Sequence, residues 1–257
     1  MSDNVRPAPR LTAIILTYNE AAHIGACIES VQFADAVIVF DSFSTDHTVA
    51  LAEQAGARVI QRGFDHYAGQ RNAALDAVQG AADWVLFVDA DERVTPELAA
   101  AIRAVLDDSS CDGWRIPRDN YIFGRLTRGA GWYPDHQTRL LRVGSARYDP
   151  ARQVHETVLL DGGLGTLTPP LIHYNYRDVR QFHAKQRRYS AYDAQMLYND
   201  GVRPKLHTDI AQAARHFWWR FVTLKGYRDG LHGLRLSALM AWYEWRKYRQ
   251  LRALWKA

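Results

Sequence analysis

Over the first ~110 residues, short runs that are apolar at nearly every position alternate with segments of helical spacing. Leu11–Thr17, Ala36–Phe40, Arg58–Gln61 and Trp84–Val88 read as strands. Ala21–Val31, Thr45–Ala55, Tyr67–Val78 and a stretch from Pro96 to about Leu106 read as helices. Ser44 or Thr45 supplies an N-cap and Gly56 a stop, while proline suits a first helical turn. Strands without polar alternation bury both faces. The pattern therefore predicts an α/β fold with a mostly parallel sheet flanked by helices.

The chain then changes character. Gly113 to about Tyr174 is rich in Gly, Pro, Trp, Tyr and Arg, with short strands expected at Trp114–Pro117, Thr138–Val143 and Val154–Leu160. From Asp178 the spacing predicts two or three amphipathic helices, broken near Gly201–Pro204 and Gly226–Gly230. With 257 residues, 47% of them hydrophobic, the chain has enough material for a sizeable core. Cys27 and Cys111 cannot build a disulfide framework, which favours a reducing compartment. The polar start, Met1 to Arg10, does not read as a signal peptide. No run approaches the ~20 apolar residues of a membrane span.

Ligands of an open parallel sheet bind beyond the carboxyl ends of its strands. After the first strand come Thr17, Tyr18, Asn19 and Glu20. They offer an aromatic ring for a base and polar groups for a ribose, or simply a turn capped by Asn19. After the second comes Asp41, then Ser44, Thr45 and Asp46, which read as caps. Asp41 sits at the strand tip, where capping does not account for it. After the fourth comes Asp89-Ala90-Asp91-Glu92. Three acids in four residues repel one another unless positive charge sits among them. A hard divalent cation bridging to a diphosphate answers that need, and an acidic helix N-terminus is the alternative, most plausible for Glu92. Arg71 reads either as a phosphate contact or as a solvated surface residue.

In order and spacing these tips resemble the family 2 glycosyltransferases, which have the GT-A fold. The resemblance rests on Leu11–Glu20, Asp41–Thr48, Arg71-Asn72 and the D-x-D signature Asp89-Ala90-Asp91. Gly131–Arg142 and Val154-His155-Glu156 look like small bacterial transferases of lipopolysaccharide-core type, similar to the WaaE/KdtX-like enzymes. The resemblance implies a GT-A domain over 1–175, its nucleotide-binding part at 11–110 and its acceptor side at 111–175. A basic, aromatic-rich helical extension covers 176–257. It places Thr17, Tyr18, Asn19, Glu20, Asp41, Arg71, Asp89 and Ala90 around a nucleotide-sugar, usually a UDP-sugar. Asp91, with Asp89 and His155, would hold Mg²⁺ or Mn²⁺.

The implied reaction is an inverting transfer to a glycan or lipid-linked acceptor in envelope polysaccharide or lipopolysaccharide synthesis. It needs a general base, and Asp135 and Glu156 are both candidates, with Gln137 and Arg139 positioning acceptor or diphosphate. The helices around His216–Phe221 and Trp242–Arg249 mix aromatics with Arg and Lys. Such helices lie on an anionic membrane surface or pack their rings on the protein. The first reading predicts a cytoplasmic protein, peripheral on the inner face of the membrane. No nucleic-acid recognition module is visible. The rivals are a nucleotidyltransferase, which would carry a glycine-rich phosphate loop absent from Leu16–Glu20, and a non-catalytic sugar-nucleotide or membrane-binding module.

Overall fold

The computed structural model describes residues 8–150 and 157–256. Its strands are β1 Leu11–Thr17, β2 Ala36–Asp41, β3 Arg58–Gln61, β4 Trp84–Asp89, β5 Glu92–Arg93 and β6 Cys111–Ile122. There follow β7 Arg125–Thr127, β8 Asp135–Arg142, β9 Ala146–Tyr148, β10 Val158–Leu160, β11 Gly163–Thr166 and β12 Leu171–Tyr176. The α-helices are α1 Ile24–Ser30, α2 Thr48–Gln54, α3 Tyr67–Asp76, α4 Pro96–Val105, α5 Val179–Asn199, α6 Thr208–Trp218 and α7 Gly230–Leu254. The main sheet runs β3-β2-β1-β4-β8-β6-β12-β5, with β7 and β11 also paired to β6. β3, β2, β1 and β4 are parallel, and β8 joins β4 antiparallel.

The chain divides into two compact units, residues 1–118 with 136–173, and residues 119–135 with 174–257. In the first unit the pleat sorts the strand residues between two cores. Leu11, Ala13, Ile15, Trp84, Leu86 and Val88 face one side with Ile24, Cys27 and Ile28 of α1 and Leu98 and Ile102 of α4. Ile14, Ile38, Phe40, Val85 and Phe87 face the other with Ala68, Ala74 and Leu75 of α3. Residues alternate across a strand, so a continuously apolar strand feeds both cores. The strands end together at Thr17, Asp41 and Asp89, which brings three candidate tips to one edge.

In the second unit Ile122, Tyr176, Phe182, Leu236 and Tyr243 form a separate core. Asp178 caps α5 by accepting from the Gln181 N–H at 2.8 Å. Residues 119–135 group with the C-terminal helices. Hydrogen bonds explain the grouping. Ala130 N–H donates to Leu224 O at 2.8 Å, and Gly129 N–H to the Asp229 carboxylate at 2.7 Å.

Three local expectations shift. The Trp114–Pro117 strand extends to twelve residues as β6. The Thr138–Val143 strand starts earlier, with Asp135 opening β8. The Thr45–Ala55 helix starts only at Thr48, because the residues before it bond to the neighbouring tip.

Candidate active site

The tips of β1 and β2 are stapled together. Asn19 has a φ of +55°, a left-handed conformation that asparagine tolerates better than most residues. Its N–H donates to Ser44 Oγ and its Oδ1 accepts from Thr45 N, both at 2.8 Å. The Glu20 N–H donates to Thr48 Oγ1 at 2.8 Å, and the Ala21 N–H to Asp46 Oδ2 at 3.2 Å. Ser44, Thr45 and Asp46 are structural, as expected: Ser44 and Thr45 fasten two loops, and Asp46 also accepts from the N–H of Thr48, the first residue of α2, at 2.9 Å. Tyr18 is left outward, 59% exposed.

Asp41 is fully buried. Its carboxylate accepts from Thr17 Oγ1 at 3.0 Å, Gln61 Nε2 at 3.0 Å, Ser44 N at 2.9 Å and Ser44 Oγ at 2.5 Å. Burial alone would raise its pKa, but these donors, Ser44 first, hold it below the usual carboxylate value. The sequence reading saw no capping role for Asp41. The structure supplies one, since the carboxylate closes the 41–44 turn.

The acidic cluster after β4 is neutralised by the protein itself. Arg139 of β8 pairs with Asp89 through both oxygens and with Glu92 at 2.9 Å. Arg71 of α3 reaches Asp89 at 3.2 Å, and Arg118 of β6 reaches Glu92 at 3.1 Å. Arg93 donates to the Ala90 carbonyl at 2.8 Å. Burial would push the Asp89 carboxyl up, but the Arg139 and Arg71 charges outweigh it and hold it well below the usual range. Burial acts downward on Arg139, yet Asp89 and Glu92 keep it well above its ordinary value.

Three expectations are thereby corrected. Positive charge does sit among the acids, but around Asp89 and Glu92 it is guanidinium. Glu92 is not at a helix N-terminus; it is a fully buried strand residue. Arg71 is not a solvated surface residue, and it and Arg139 pair with the acids. Arg71 lies between the rings of Phe87 and Tyr148, and both side chains are under 10% exposed. The low-dielectric interior requires every buried charge to be paired, and these two arginines meet that demand.

Asp91 stands apart from the pairs, with Oδ2 3.6 Å from His173 Nε2 of β12 and a side chain 25% exposed. A cation therefore fits here in a reduced form. Among the described residues no three His, Cys, Asp or Glu side chains gather into a metal group. Asp89 is occupied by two arginines and does not fit the role of ligand. One carboxylate with an adjacent imidazole fits an ion that takes its remaining ligands from phosphate and water. His155 and Glu156 lie outside the described residues.

In the second unit, the buried Asn120 amide donates to Trp132 O at 2.8 Å and to Asp135 Oδ2 at 3.3 Å. Its own oxygen accepts from Asn175 Nδ2 at 3.2 Å. On β8, Asp135, Gln137 and Arg139 alternate onto one face. Gln137 is half-buried. Sequence reading missed Asn120, Glu92 as a buried partner, Arg118 and His173. Their strands are mixed in polarity, so no local pattern singles them out.

Residues 12–156 match glycosyl transferase family 2. The chain belongs to this family. It is 31% identical over 245 residues to the lipopolysaccharide core biosynthesis glycosyltransferase LpsC of Rhizobium meliloti, covering 88% of this chain and 86% of LpsC. It is 30% identical to an uncharacterised glycosyltransferase of Rickettsia bellii, covering 95% and 87%. Among solved structures, the mannosyltransferase PcManGT of Pyrobaculum calidifontis, in complex with GDP-Man and Mn²⁺, aligns with a TM-score of 0.49 at 18% identity, covering 95% and 84%. Family 2 membership and the GT-A architecture agree with the sequence reading, and they set aside the nucleotidyltransferase. The family 2 assignment makes this chain a nucleotide-sugar-dependent glycosyltransferase.

The charge network yields a stability prediction. Arg139→Met leaves Glu92 and Asp89 each short of a buried partner, and should cost about 3–5 kcal/mol at pH 7. Asp89 has a lowered folded pKa, so its contribution is complete above the ordinary carboxylate pKa of about 4 and is lost as pH falls below it. In Arg139→Met the folded pKa of Asp89 moves back toward its unfolded value, so that acid loss should be smaller. Urea unfolding measured from pH 3 to pH 8 checks both effects, and an unchanged midpoint would contradict the network's role.

Proposed function

We propose that this family 2 enzyme transfers a sugar, with inversion, from a nucleoside diphosphate sugar to a saccharide of the lipopolysaccharide core. UDP-sugars are the first donors to test. The acceptor class draws support from the similarity to LpsC, which is a lipopolysaccharide core transferase. The choice of base draws its support from one observation: a buried asparagine, Asn120, grips the carboxylate at the head of β8.

In this reading Asp135 is the general base. An acceptor hydroxyl attacks the anomeric carbon from the face opposite the nucleotide, and Asp135 takes its proton. The bond from that carbon to the diphosphate oxygen breaks, and its electron pair leaves with the diphosphate. The Asn120 N–H orients the carboxylate for this proton transfer. Tyr18 stacks on the base, and Asp89, kept ionised by Arg139 and Arg71, accepts from a ribose hydroxyl. Asp91 and His173 would hold Mg²⁺ or Mn²⁺, which supplies positive charge beside the leaving diphosphate.

Two experiments test the chemistry. Asp135→Asn should lower the single-turnover rate by about 10²–10⁴-fold with nucleotide-sugar affinity unchanged. If Glu156→Gln shows that loss and Asp135→Asn does not, the base is misassigned. Asp91→Ala should abolish metal-dependent donor turnover and metal-dependent thermal stabilisation by nucleotide-sugar while leaving the metal-free melting temperature in place. Undiminished turnover in that variant removes the metal role.

We further propose that the second unit rests on an anionic membrane surface. No helix of the described residues is long and apolar enough to cross a membrane. From Tyr176 onward there are seventeen Arg and Lys against six acids. A shallow apolar depression of about 520 Å³ between α6 and α7 is lined by Phe217, Trp218, Trp242 and Trp245. Trp218 and Trp242 are more than half exposed, and Arg249 lies over the Trp245 ring. Aromatics flanked by basic residues match a lipid headgroup layer. The protein should co-sediment with phosphatidylglycerol vesicles, less at high salt, and Trp218→Ser with Trp242→Ser should release it. Equal recovery with neutral and anionic vesicles would remove the membrane reading.

A further inference from the structure

A second cavity, of about 440 Å³, lies wholly within the second unit, between the 128–133 loop and the 223–229 turn. Arg128, Lys225 and Arg228 contribute three cations to its lining, and Asp229 one anion. The Asp229 carboxylate already accepts from Gly129 N. Arg128 forms a two-point pair with Asp119, at 2.9 and 2.6 Å, and its guanidinium lies 5.1 Å from the Tyr133 ring. Lys225 and Arg228 are exposed, and among the described residues no carboxylate lies within ion-pair distance of either. The rest of the lining is an aromatic ring, Tyr133, with Leu224, Thr223, Gly129 and Gly131. The volume falls within the range of small-molecule sites.

The walls of this cavity are held in place. Ala130 N donates to Leu224 O at 2.8 Å, and Arg220 donates to Ala130 O at 2.6 Å. Arg220 is held in turn by His216, whose Nε2 accepts from Arg220 Nε at 2.8 Å. Burial, reinforced by the Arg220 charge, pushes His216 down to about 4, so the imidazole is a neutral acceptor at physiological pH. Gly129 has no room for a side chain, since a Cβ there would lie 2.6 Å from Lys225 O. Ala130 and Lys225 both adopt left-handed backbone, at φ +54° and +55°. Non-glycine residues in that conformation cost energy and tend to gather at functional sites.

The cavity shares its loop with the proposed base. Asn120 bonds both Trp132 O and the Asp135 carboxylate, so one buried amide fixes the stretch that carries Tyr133. Tyr133 and Asp135 are two residues apart, at most ~7 Å between their Cα atoms. All the tips read as donor-binding belong to the first unit, and none of them lines this cavity.

We infer that this cavity is an acceptor subsite that holds an anionic saccharide, its phosphate or carboxylate on Lys225 and Arg228, with a hydroxyl presented toward Asp135. The inference rests on the transferase reading above and names the chemistry of the acceptor. Exposed cations confer both affinity and selectivity on such a site, because a neutral sugar gains nothing from them.

The test uses the full chain and three soluble probes: mannose 6-phosphate, glucuronate and mannose. Binding is followed by calorimetry for the native protein and for Lys225→Asn combined with Arg228→Gln. Asparagine tolerates the left-handed backbone at 225, and Arg228→Gln alone serves if the pair does not fold. The two anionic sugars should bind and mannose should not, and the double variant should weaken the anionic sugars about tenfold or more. UDP-sugar binding, measured in parallel, should be the same in both proteins. Its absence from the native protein would remove UDP-sugars as the donor while leaving the anion result to stand by itself. Equal binding of the anionic sugars by native and variant protein overturns the subsite. So does a selective loss of UDP-sugar affinity in the variant. Displacement of mannose 6-phosphate by phosphatidylglycerol vesicles, dependent on the same two residues, would reassign the cavity to a lipid headgroup and overturn the saccharide.

Discussion

The ion network centred on Arg139 is the interaction on which the candidate site depends. Three acids at the end of a strand that is otherwise wholly buried would be an electrostatic fault without it. β8 supplies the remedy by running antiparallel to β4, with Trp84 opposite Arg142 and Leu86 opposite Leu140. Continuing that register sets Arg139 opposite Phe87, next to the acidic turn. One guanidinium then serves both Asp89 and Glu92, and Arg71 and Arg118 complete the count. A buried pair of this kind is weak evidence for net stability, but breaking it is costly. Its consequence is specificity of arrangement: Asp89 is held ionised in one position, and Asp91 is left as the acid available to a ligand.

The neighbouring tips follow the same logic with neutral donors. Asp41 is buried and saturated by hydroxyls, an amide and a backbone N–H, and Asn19 bonds Ser44 and Thr45. Side chains that look ready for a nucleotide thus first build the loops that would receive one. Both functions can belong to one residue, and the structural one is visible without a ligand. Preorganised loops reduce what binding must order, which suits a site that recognises a charged, flexible donor.

In the second unit a similar economy appears around Asn120 and Arg220. Asn120 is buried and Arg220 half-buried, and each fixes a backbone carbonyl of the 129–132 loop, Trp132 O for Asn120 and Ala130 O for Arg220. The loop gains a defined shape without helix or strand, and with it a rigid cavity wall and an oriented carboxylate.

Much of the first unit was legible in the sequence. Continuous apolar runs determined β1, β2, β4 and their parallel sheet, because a run that buries both faces has few alternatives. Pro96 marked the start of α4 and Asp178 that of α5 for local reasons of backbone chemistry. The family, too, was legible, since its motifs lie at strand tips whose spacing the fold conserves along the chain. The pairings were not legible. Glu92 and Arg118 are 26 residues apart, Asp89 and Arg139 50, Asn120 and Asp135 15, and no local pattern encodes such contacts. The sequence alone determined that three acids crowd the end of β4 and need positive charge. Only the tertiary structure decided that arginines on β8, α3 and β6 provide it, because strand register and helix packing choose which distant side chains meet in a low-dielectric interior.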